Sequence, residues 1–296
     1  MKPLRGRLGL ESARIPQSDR HGVMWLGRGN LVTEQGTLHF LTAGDGDLEA
    51  GDYSIPFQTV SCLVMQPGTT VTHDAVRLLA AHGTGLVFVG SGAVRFYASM
   101  PFGPDASARA RRQAVSWADQ DQRLRVARRM YAWRMGEIFP DAEIEVLRGM
   151  EGARAKKAYE LLAQQYGIRW YGRRYDRKKP EGSDPANQAI NHASVAVVSA
   201  AQVAVAIAGT IPQLGFIHEE SGIAFALDIA DLFRDLITVP GAFAAVKESH
   251  TRRSDPLERV TRRLVGRAIR KHKVVEKMIG RIKDLFDVGR VEVIDE

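Results

Sequence analysis

A histidine and two aspartates in the stretch 215–233 have the residue types and the spacing for metal chemistry. His218 follows the apolar residues GFI and precedes Asp228 by ten positions, and Asp228 and Asp231 lie in the apolar run LDIADLF. Residues three apart on a helix lie about 60° apart on one face. Two carboxylates on an apolar face repel each other and lose hydration, and a divalent cation relieves both costs. The alternative is that Asp228 caps a helix or pairs with Arg234.

Glu151 is a third candidate ligand, in the segment LRGMEGARAKKAY. Gly149 and Gly152 flank it, although a glycine inside a helix costs about 1 kcal/mol relative to alanine. This pattern indicates that something approaches the helix backbone closely beside the glutamate. The alternative is a surface glutamate that pairs with Lys156 or Arg148.

A histidine combined with two or three carboxylates forms a mixed nitrogen and oxygen ligand set, which suits Mn²⁺ or Mg²⁺ better than a structural zinc. Other chemistries find little support. Because the sequence contains a single cysteine, Cys62, a cysteine-based zinc cluster is excluded. Cys62 lies in TVSCLVM and is predicted to be a buried strand residue. The glycines of GTGLVFVGSG do not follow the strand, glycines, helix order of a dinucleotide loop, and no GxSxG or phosphate-loop motif occurs.

The distribution of charge favours a polyanionic partner. Against 34 acidic residues the chain has 41 lysines and arginines, a formal charge of +7. Residues 109–134 contain eight arginines and two aspartates, and residues 247–283 contain thirteen basic and four acidic residues. Basic helical faces of this kind attract nucleic acid. The alternative is a solvated, arginine-rich surface. Beside such helices, the candidate ligands point to metal-assisted chemistry on a phosphodiester.

The elements that must position these side chains change character along the chain. Short β-branched and aromatic runs fill residues 22–98, with one helix between Thr72 and Gly83. Two prolines and a glycine mark residues 101–107 as a linker. The sequence therefore predicts an α+β multidomain protein, in which a small N-terminal β-rich domain (1–100) precedes a larger all-α-helical catalytic domain (108–296).

The helical part is predicted to begin with one long amphipathic helix over 107–139, followed by a helix that ends at Gly167. The apolar stretch 193–209 is shorter than the roughly 20 residues that a membrane span needs, so a buried, alanine-rich helix is expected. The N-terminus has no apolar core of secretory length. A reducing, cytoplasmic setting fits these features and the single cysteine.

Four motifs in fixed order, LRGMEGARAKKAY, GRRYD, GFIH and LDIADLF, resemble the CRISPR-associated integrase that captures new spacers. The resemblance is to the branch that accompanies Cascade-type, subtype I-E systems. It runs over essentially the whole chain and includes the block QPGTTVTHDAVRLLAAHGTGLVFVGSGAVRFYAS, which is similar to the β domain of that family. The combination of motifs is specific, whereas any single motif is not.

The resemblance implies a role for each matched residue. Glu151, His218 and Asp231 are the implied metal ligands, and Asp228 is the implied second carboxylate near the metal. The residues implied to hold DNA are Arg95, Arg173, Arg174 and Tyr175.

The resemblance also implies an activity and an assembly. The implied enzyme is a DNA endonuclease and integrase that joins a prespacer 3′-hydroxyl to a CRISPR repeat by transesterification with Mg²⁺ or Mn²⁺. It forms homodimers, and two dimers hold a dimer of a small ferredoxin-like partner and a prespacer duplex. Two alternatives stay open: a nuclease that only hydrolyses DNA at the same site, and a non-catalytic basic scaffold that binds nucleic acid.

Overall fold

The computed structural model describes residues 20, 22–44, 48–99, 107–174, 184–251 and 255–287. The chain divides into two compact units. The first lies within Met1–Phe88 and Ala98–Asp105, and the second lies within Val89–Tyr97 and Ala106–Glu296. Residues 101–106 of the predicted linker lie outside the described residues, and the predicted domain limits stay a prediction.

The N-terminal part of the chain, up to Ser99, is built from short strands and one helix. The strands are β1 (Val23–Leu26), β2 (Gly29–Glu34), β3 (Thr37–Thr42), β4 (Gly51–Ile55), β5 (Cys62–Met65), β6 (Thr69–Val71), β7 (Gly85–Val89) and β8 (Phe96–Ser99), and the helix is α1 (His73–His82). They form two four-stranded sheets, in the orders β1-β5-β7-β8 and β4-β3-β2-β6. The β2–β3 and β3–β4 pairs are antiparallel, whereas β1–β5, β5–β7 and β2–β6 are parallel.

Alternating apolar residues give the second sheet its buried face. Leu31 lies opposite Phe40 in the β2–β3 register, and both are fully buried with Leu38. The predicted helix signals are confirmed. Thr72 accepts a hydrogen bond from the Ala75 N–H and begins α1, and Gly83 ends it in the left-handed conformation.

The second unit is helical apart from the short strand segment that it includes. Its helices are α2 (Ser107–Ala118), α3 (Gln120–Met135), α4 (Ile144–Tyr166), α5 (Pro185–Ala208), α6 (Ala224–Asp231), α7 (Val239–Thr251), α8 (Leu257–Lys271) and α9 (Val274–Phe286). A 3₁₀ turn covers Ser91–Ala93, and a π-helical segment, Arg234–Thr238, joins α6 to α7. An N-terminal β-rich part followed by an all-helical part confirms the predicted fold class.

The prediction of one long helix over 107–139 was wrong. The chain breaks at Asp119, whose backbone is extended and whose side chain accepts a hydrogen bond from the Gln122 N–H. Aspartate is a strong helix N-cap, so this residue ends α2 and begins α3. The predicted end of the following helix at Gly167 is confirmed.

Helix α5 is the centre of the helical unit. It is the one helix of the described residues with the length and apolarity of a membrane span, but most of it is buried inside the protein, as in the core helix of a soluble protein. Its small alanines let α6, α7, α8 and α9 pack closely around it. The predicted buried, alanine-rich helix is therefore confirmed.

Candidate metal centre

Asp228 is a buried anchor for the loop that leads to His218. Its Oδ2 accepts hydrogen bonds from the backbone N–H groups of Phe216 (2.6 Å) and Ile217 (3.1 Å). Its Oδ1 accepts one from the His218 N–H (2.9 Å) and lies 2.7 Å from Nδ1 of the same residue. These donors compensate the carboxylate for its lost hydration. Asp228 therefore fixes both the backbone and the ring of His218.

The residues before His218 explain the GFIH motif. A Cβ on Gly215 would lie 2.2 Å from the His218 carbonyl oxygen and 2.8 Å from the Ala224 Cβ, so the chain can turn here only with glycine. Phe216 is fully buried and packs against Phe225 and Phe286. Glycine makes the turn, and the phenylalanine anchors it.

Helix α2 also holds this loop, through contacts that sequence reasoning missed. The buried Gln113 donates to the carbonyls of Ile211 and Leu214 and accepts from the Ile211 N–H. Trp117 donates its indole N–H to the Gly215 carbonyl at 2.9 Å. These contacts join residues about 98 positions apart, and no local pattern could have indicated them.

His218 and Asp231 face each other across the end of α6. Nε2 of His218 lies 3.9 Å from Oδ2 of Asp231. The hydrogen bond with Asp228 outweighs burial and raises the pKa of the His218 ring above its usual value. In the neutral ring, the hydrogen bond to the Asp228 carboxylate keeps the proton on Nδ1, and the Nε2 lone pair is then available to a cation on the Asp231 side.

Asp231 is the last residue of α6, and its charge is shared by two arginines. Nη2 of Arg234 lies 3.0 Å from Oδ1, and Nη1 of Arg134 lies 3.6 Å from Oδ2. The partner predicted for Asp228, Arg234, is thus paired with Asp231 instead. Arg234 begins the π-helical segment, a distortion that often accompanies functional sites.

Glu151 joins the same cluster through Arg134. Nη2 of Arg134, from the last turn of α3, lies 2.5 Å from Oε1 of Glu151 in α4. The alternative partners considered above, Lys156 and Arg148, are not its ion-pair partners among the described contacts. Arg148 instead donates to the Ile217 carbonyl at 2.9 Å, beside His218.

The structure therefore brings the four predicted site residues into one connected cluster. Glu151 and Asp231 share Arg134, Asp231 faces His218, and His218 rests on Asp228. The side chains of Glu151 and Asp231 are partly covered and that of His218 is 38% exposed, so an ion could reach them. As residue types, two carboxylates and one imidazole Nε2 suit Mn²⁺ or Mg²⁺. Their role as ligands stays a prediction.

Within the described part of the chain, no close packing contact requires glycine at positions 149 and 152. A Cβ on either would meet no described atom within 4 Å. Their predicted purpose, close approach of another molecule beside Glu151, stays a prediction.

The predicted DNA-contacting residues have different surroundings. Arg95 is exposed and lies 3.8 Å from Glu258. Arg173 donates to the side chains of Asn187 (3.0 Å) and Asn191 (2.7 Å), and the Arg174 N–H also bonds to Asn187. Tyr175 lies outside the described residues. For these residues, contact with DNA stays a prediction.

Many arginines of the basic stretch 109–134 are used inside the protein. Arg109 forms a two-pronged ion pair with Asp287 and donates to the Ala208 carbonyl. Arg123 pairs with Glu219 at 2.7 Å. The guanidinium groups of Arg129 and Arg281 both lie over the Trp133 ring, at 5.1 and 4.5 Å from its centre, and Arg128 donates to the Ala142 carbonyl. Charge counting along the sequence thus overstates the charge that this stretch offers to DNA.

A second group of ligand-type side chains lies in the first unit. Single donor atoms of Glu34, His39 and Asp52 lie within 4.8 Å of one another and could hold a metal ion. Both His39 nitrogens already have partners, Thr37 at 2.7 Å and Asp52 at 2.9 Å. This group, in which Glu34 and Asp52 are exposed and His39 is half-buried, was not predicted from the sequence, because its members come from three strands.

Known proteins identify the fold that carries the connected cluster. The family model described as CRISPR associated protein Cas1 matches residues 133–276, which include all four predicted catalytic residues. The chain is 37% identical to the CRISPR-associated endonuclease Cas1 of Escherichia coli (strain K12), over 94% of this chain and 88% of that protein. The chain belongs to the Cas1 family. The predicted family is therefore confirmed, and with it membership of a family of endonucleases.

Other Cas1 proteins agree with this assignment. The CRISPR-associated endonuclease Cas1 2 of Thermus thermophilus is 38% identical over 78% of this chain and 70% of that protein. The crystal structure of a TtCas1–DNA complex superimposes with a TM-score of 0.80 at 34% identity, covering 93% of this chain and 99% of that one. The Cas1 fold thus extends through both units of the chain.

Proposed function

We propose that this Cas1 family member is a metal-dependent DNA endonuclease and integrase that inserts prespacer DNA into a CRISPR repeat array. The observation that carries the proposal is the connected cluster of Glu151, His218 and Asp231, with His218 oriented by Asp228. The cluster lies in a chain whose relatives are named endonucleases. The crystal structure of one similar protein, TtCas1, is of a complex with DNA.

In the proposed reaction, the 3′-hydroxyl oxygen of the prespacer attacks a phosphodiester at the repeat end. One P–O bond forms while another breaks, and the proton of the attacking hydroxyl ends on the leaving 3′-oxygen. No covalent enzyme intermediate is required, in keeping with the lack of a nucleophile motif in the sequence. A cation held by Glu151, His218 and Asp231 would supply Lewis-acid polarisation of the scissile phosphate.

The chain's own residues supply orientation and charge. Asp228 holds His218 with Nε2 directed to Asp231. Arg148 donates to the Ile217 carbonyl next to His218, and Arg234 pairs with Asp231. Positive charge at these positions attracts a phosphate backbone and would hold it against the ligands.

The test is strand transfer with purified protein, a labelled prespacer and a repeat, in Mn²⁺. Glu151→Ala, His218→Ala and Asp231→Ala should each abolish joined products, because each removes one proposed ligand. Glu160→Ala is the control, since Glu160 is an exposed residue of the same helix as Glu151. Joined products that persist in the three variants would contradict the ligand assignment.

The same assay separates the two remaining alternatives. Cut but never joined DNA would indicate hydrolysis alone, with water as the nucleophile at the same ligands. Nucleic-acid binding that needs neither a divalent cation nor Glu151, with DNA neither cut nor joined, would indicate a non-catalytic basic scaffold. Phosphate contacts should make DNA binding fall steeply with salt concentration and depend weakly on sequence.

The proposed assembly follows the family resemblance. We propose a homodimer that joins a small ferredoxin-like adaptation partner, two dimers to one partner dimer, in the cytoplasm of a subtype I-E system. Arg95, Arg173, Arg174 and Tyr175 are the proposed DNA contacts. Size-exclusion chromatography with light scattering, with and without the partner, measures this stoichiometry.

A further inference from the structure

Arg134 places a permanent positive charge between two of the proposed metal ligands. Its guanidinium lies 2.5 Å from Oε1 of Glu151 and 3.6 Å from Oδ2 of Asp231, and its side chain is only 6% exposed. A guanidinium stays protonated at every working pH. It therefore compensates both carboxylates in the metal-free protein, which would otherwise repel each other.

The two arginines on Asp231 occupy different oxygens. Arg234 lies against Oδ1, whereas Arg134 faces Oδ2, the oxygen that also faces Nε2 of His218 at 3.9 Å. A cation that bridges His218 and Asp231 would use this same Oδ2. Arg134 is thus directed at the atom that the cation needs, and Arg234 is not.

We propose that Arg134 is a positioning residue that competes with the divalent cation for Glu151 and Asp231. It holds the two carboxylates in place without metal and must withdraw from Oδ2 of Asp231 when metal binds. The physical reason is repulsion, because a guanidinium and a divalent ion cannot share two carboxylates at these distances without a large Coulomb cost. The inference rests on the ligand set of the proposed function.

The competition predicts that removing the charge strengthens metal binding. In metal-stripped full-length protein, Mn²⁺ titrations followed by the electron paramagnetic resonance signal of free Mn²⁺ should give a Kd for Arg134→Met about tenfold lower than for wild type, within the roughly 5- to 150-fold range of typical coupling between two ligands. Arg154→Met is the matched control. Arg154 is an exposed arginine that pairs with Glu137 at 2.5 Å, and its loss should leave the Kd unchanged.

Thermal unfolding gives a second readout. Without metal, Arg134→Met should melt below wild type, because Glu151 and Asp231 lose their shared cation. Mn²⁺ should then raise its melting temperature more than that of wild type, since tighter binding to the folded state stabilises it further. If Arg134→Met does not fold, the Mn²⁺ titration of Arg134→Lys tests the proposal instead. A single ammonium cannot span both carboxylates as a guanidinium does, so tighter Mn²⁺ binding than in wild type is again expected.

An equal or weaker Mn²⁺ affinity in the folded Arg134 variant would overturn the inference. Failure of the proposed function has a different signature, because Glu151→Ala would then leave the Mn²⁺ affinity of otherwise wild-type protein unchanged. The Mn²⁺ affinity of the Arg134 variant therefore tests whether Arg134 competes with the cation. The Mn²⁺ affinity of Glu151→Ala tests whether the proposed ligands bind the cation at all.

Discussion

Replacing Asp228 by asparagine tests the network that fixes the loop before His218. Asparagine keeps the shape of the side chain but presents an NH₂ group in place of one oxygen. If the NH₂ takes the place of Oδ2, the N–H groups of Phe216 and Ile217 both lose their acceptor. If it takes the place of Oδ1, the His218 N–H loses its acceptor, and Nδ1 must accept a hydrogen bond from the NH₂ instead of donating one.

The magnitude follows from these contacts. Hydrogen bonds to a charged group contribute about 1.5–3 kcal/mol each, and an unpaired buried donor costs about 1–3 kcal/mol. The less costly orientation leaves one buried N–H unpaired and removes the carboxylate charge from the remaining bonds. The free energy of unfolding should therefore fall by about 3 kcal/mol.

The same orientation changes the tautomer of His218. When Nδ1 accepts a hydrogen bond from the asparagine NH₂, the ring proton moves to Nε2. The protonated Nε2 has no free lone pair and cannot bind a metal. The Mn²⁺ affinity should fall about 10- to 100-fold, as is typical when the partner of a ligating histidine is removed.

Urea denaturation of the metal-free protein, followed by circular dichroism, measures the first effect, and Mn²⁺ titration measures the second. Asp284→Asn is the control, because Asp284 is exposed and lies 3.9 Å from Arg281, a pair worth less than about 1 kcal/mol. Loss of less than about 1 kcal/mol in Asp228→Asn would refute the anchoring argument.

Two further substitutions probe the surroundings of the cluster. Gly152→Ala should raise the free energy of unfolding by about 0.5–1 kcal/mol, because a Cβ meets no described atom there and alanine favours the helix. Urea denaturation measures this change, and a lower free energy of unfolding would show that packing needs the glycine. Asn187→Ala should lower the free energy of unfolding by about 2–4 kcal/mol. The buried Asn187 side chain forms hydrogen bonds with Arg173, with the Arg174 N–H and with the Gly172 carbonyl, and alanine removes all of them. Limited proteolysis should then cut near Gly172 faster than in wild type, and an unchanged rate would contradict this role.

Local patterns in the sequence predicted the features that depend on neighbouring residues. Thr72 and Gly83 bound α1 because a hydroxyl caps the first turn and a glycine adopts the left-handed conformation that ends it. The break at Asp119 is also a local signal, and an aspartate followed by good helix formers could have indicated it. The amphipathic pattern on both sides of it favoured one continuous helix instead.

Contacts between distant residues could not be predicted in this way. Gln113 holds residues 211–214, and Arg134 joins Glu151 to Asp231, but nothing in their own segments distinguishes these buried side chains from the polar residues of the surface. The many arginines of residues 109–134 give the same lesson. Several of them lie inside ion pairs or over the Trp133 ring, which only packing decides.

The amino-acid sequence by itself determined the element types, the buried helix α5, the candidate ligands and the family, because these depend on residue type, spacing and order along the chain. Only the tertiary structure decided how Asp228 and Asp231 differ. Their spacing places the two aspartates on one helix face. However, Asp228 accepts hydrogen bonds from three backbone N–H groups, whereas Asp231 faces His218 and two arginines. The physical reason is that a carboxylate's role depends on which donors surround it in space, and those donors come from segments far apart in the chain.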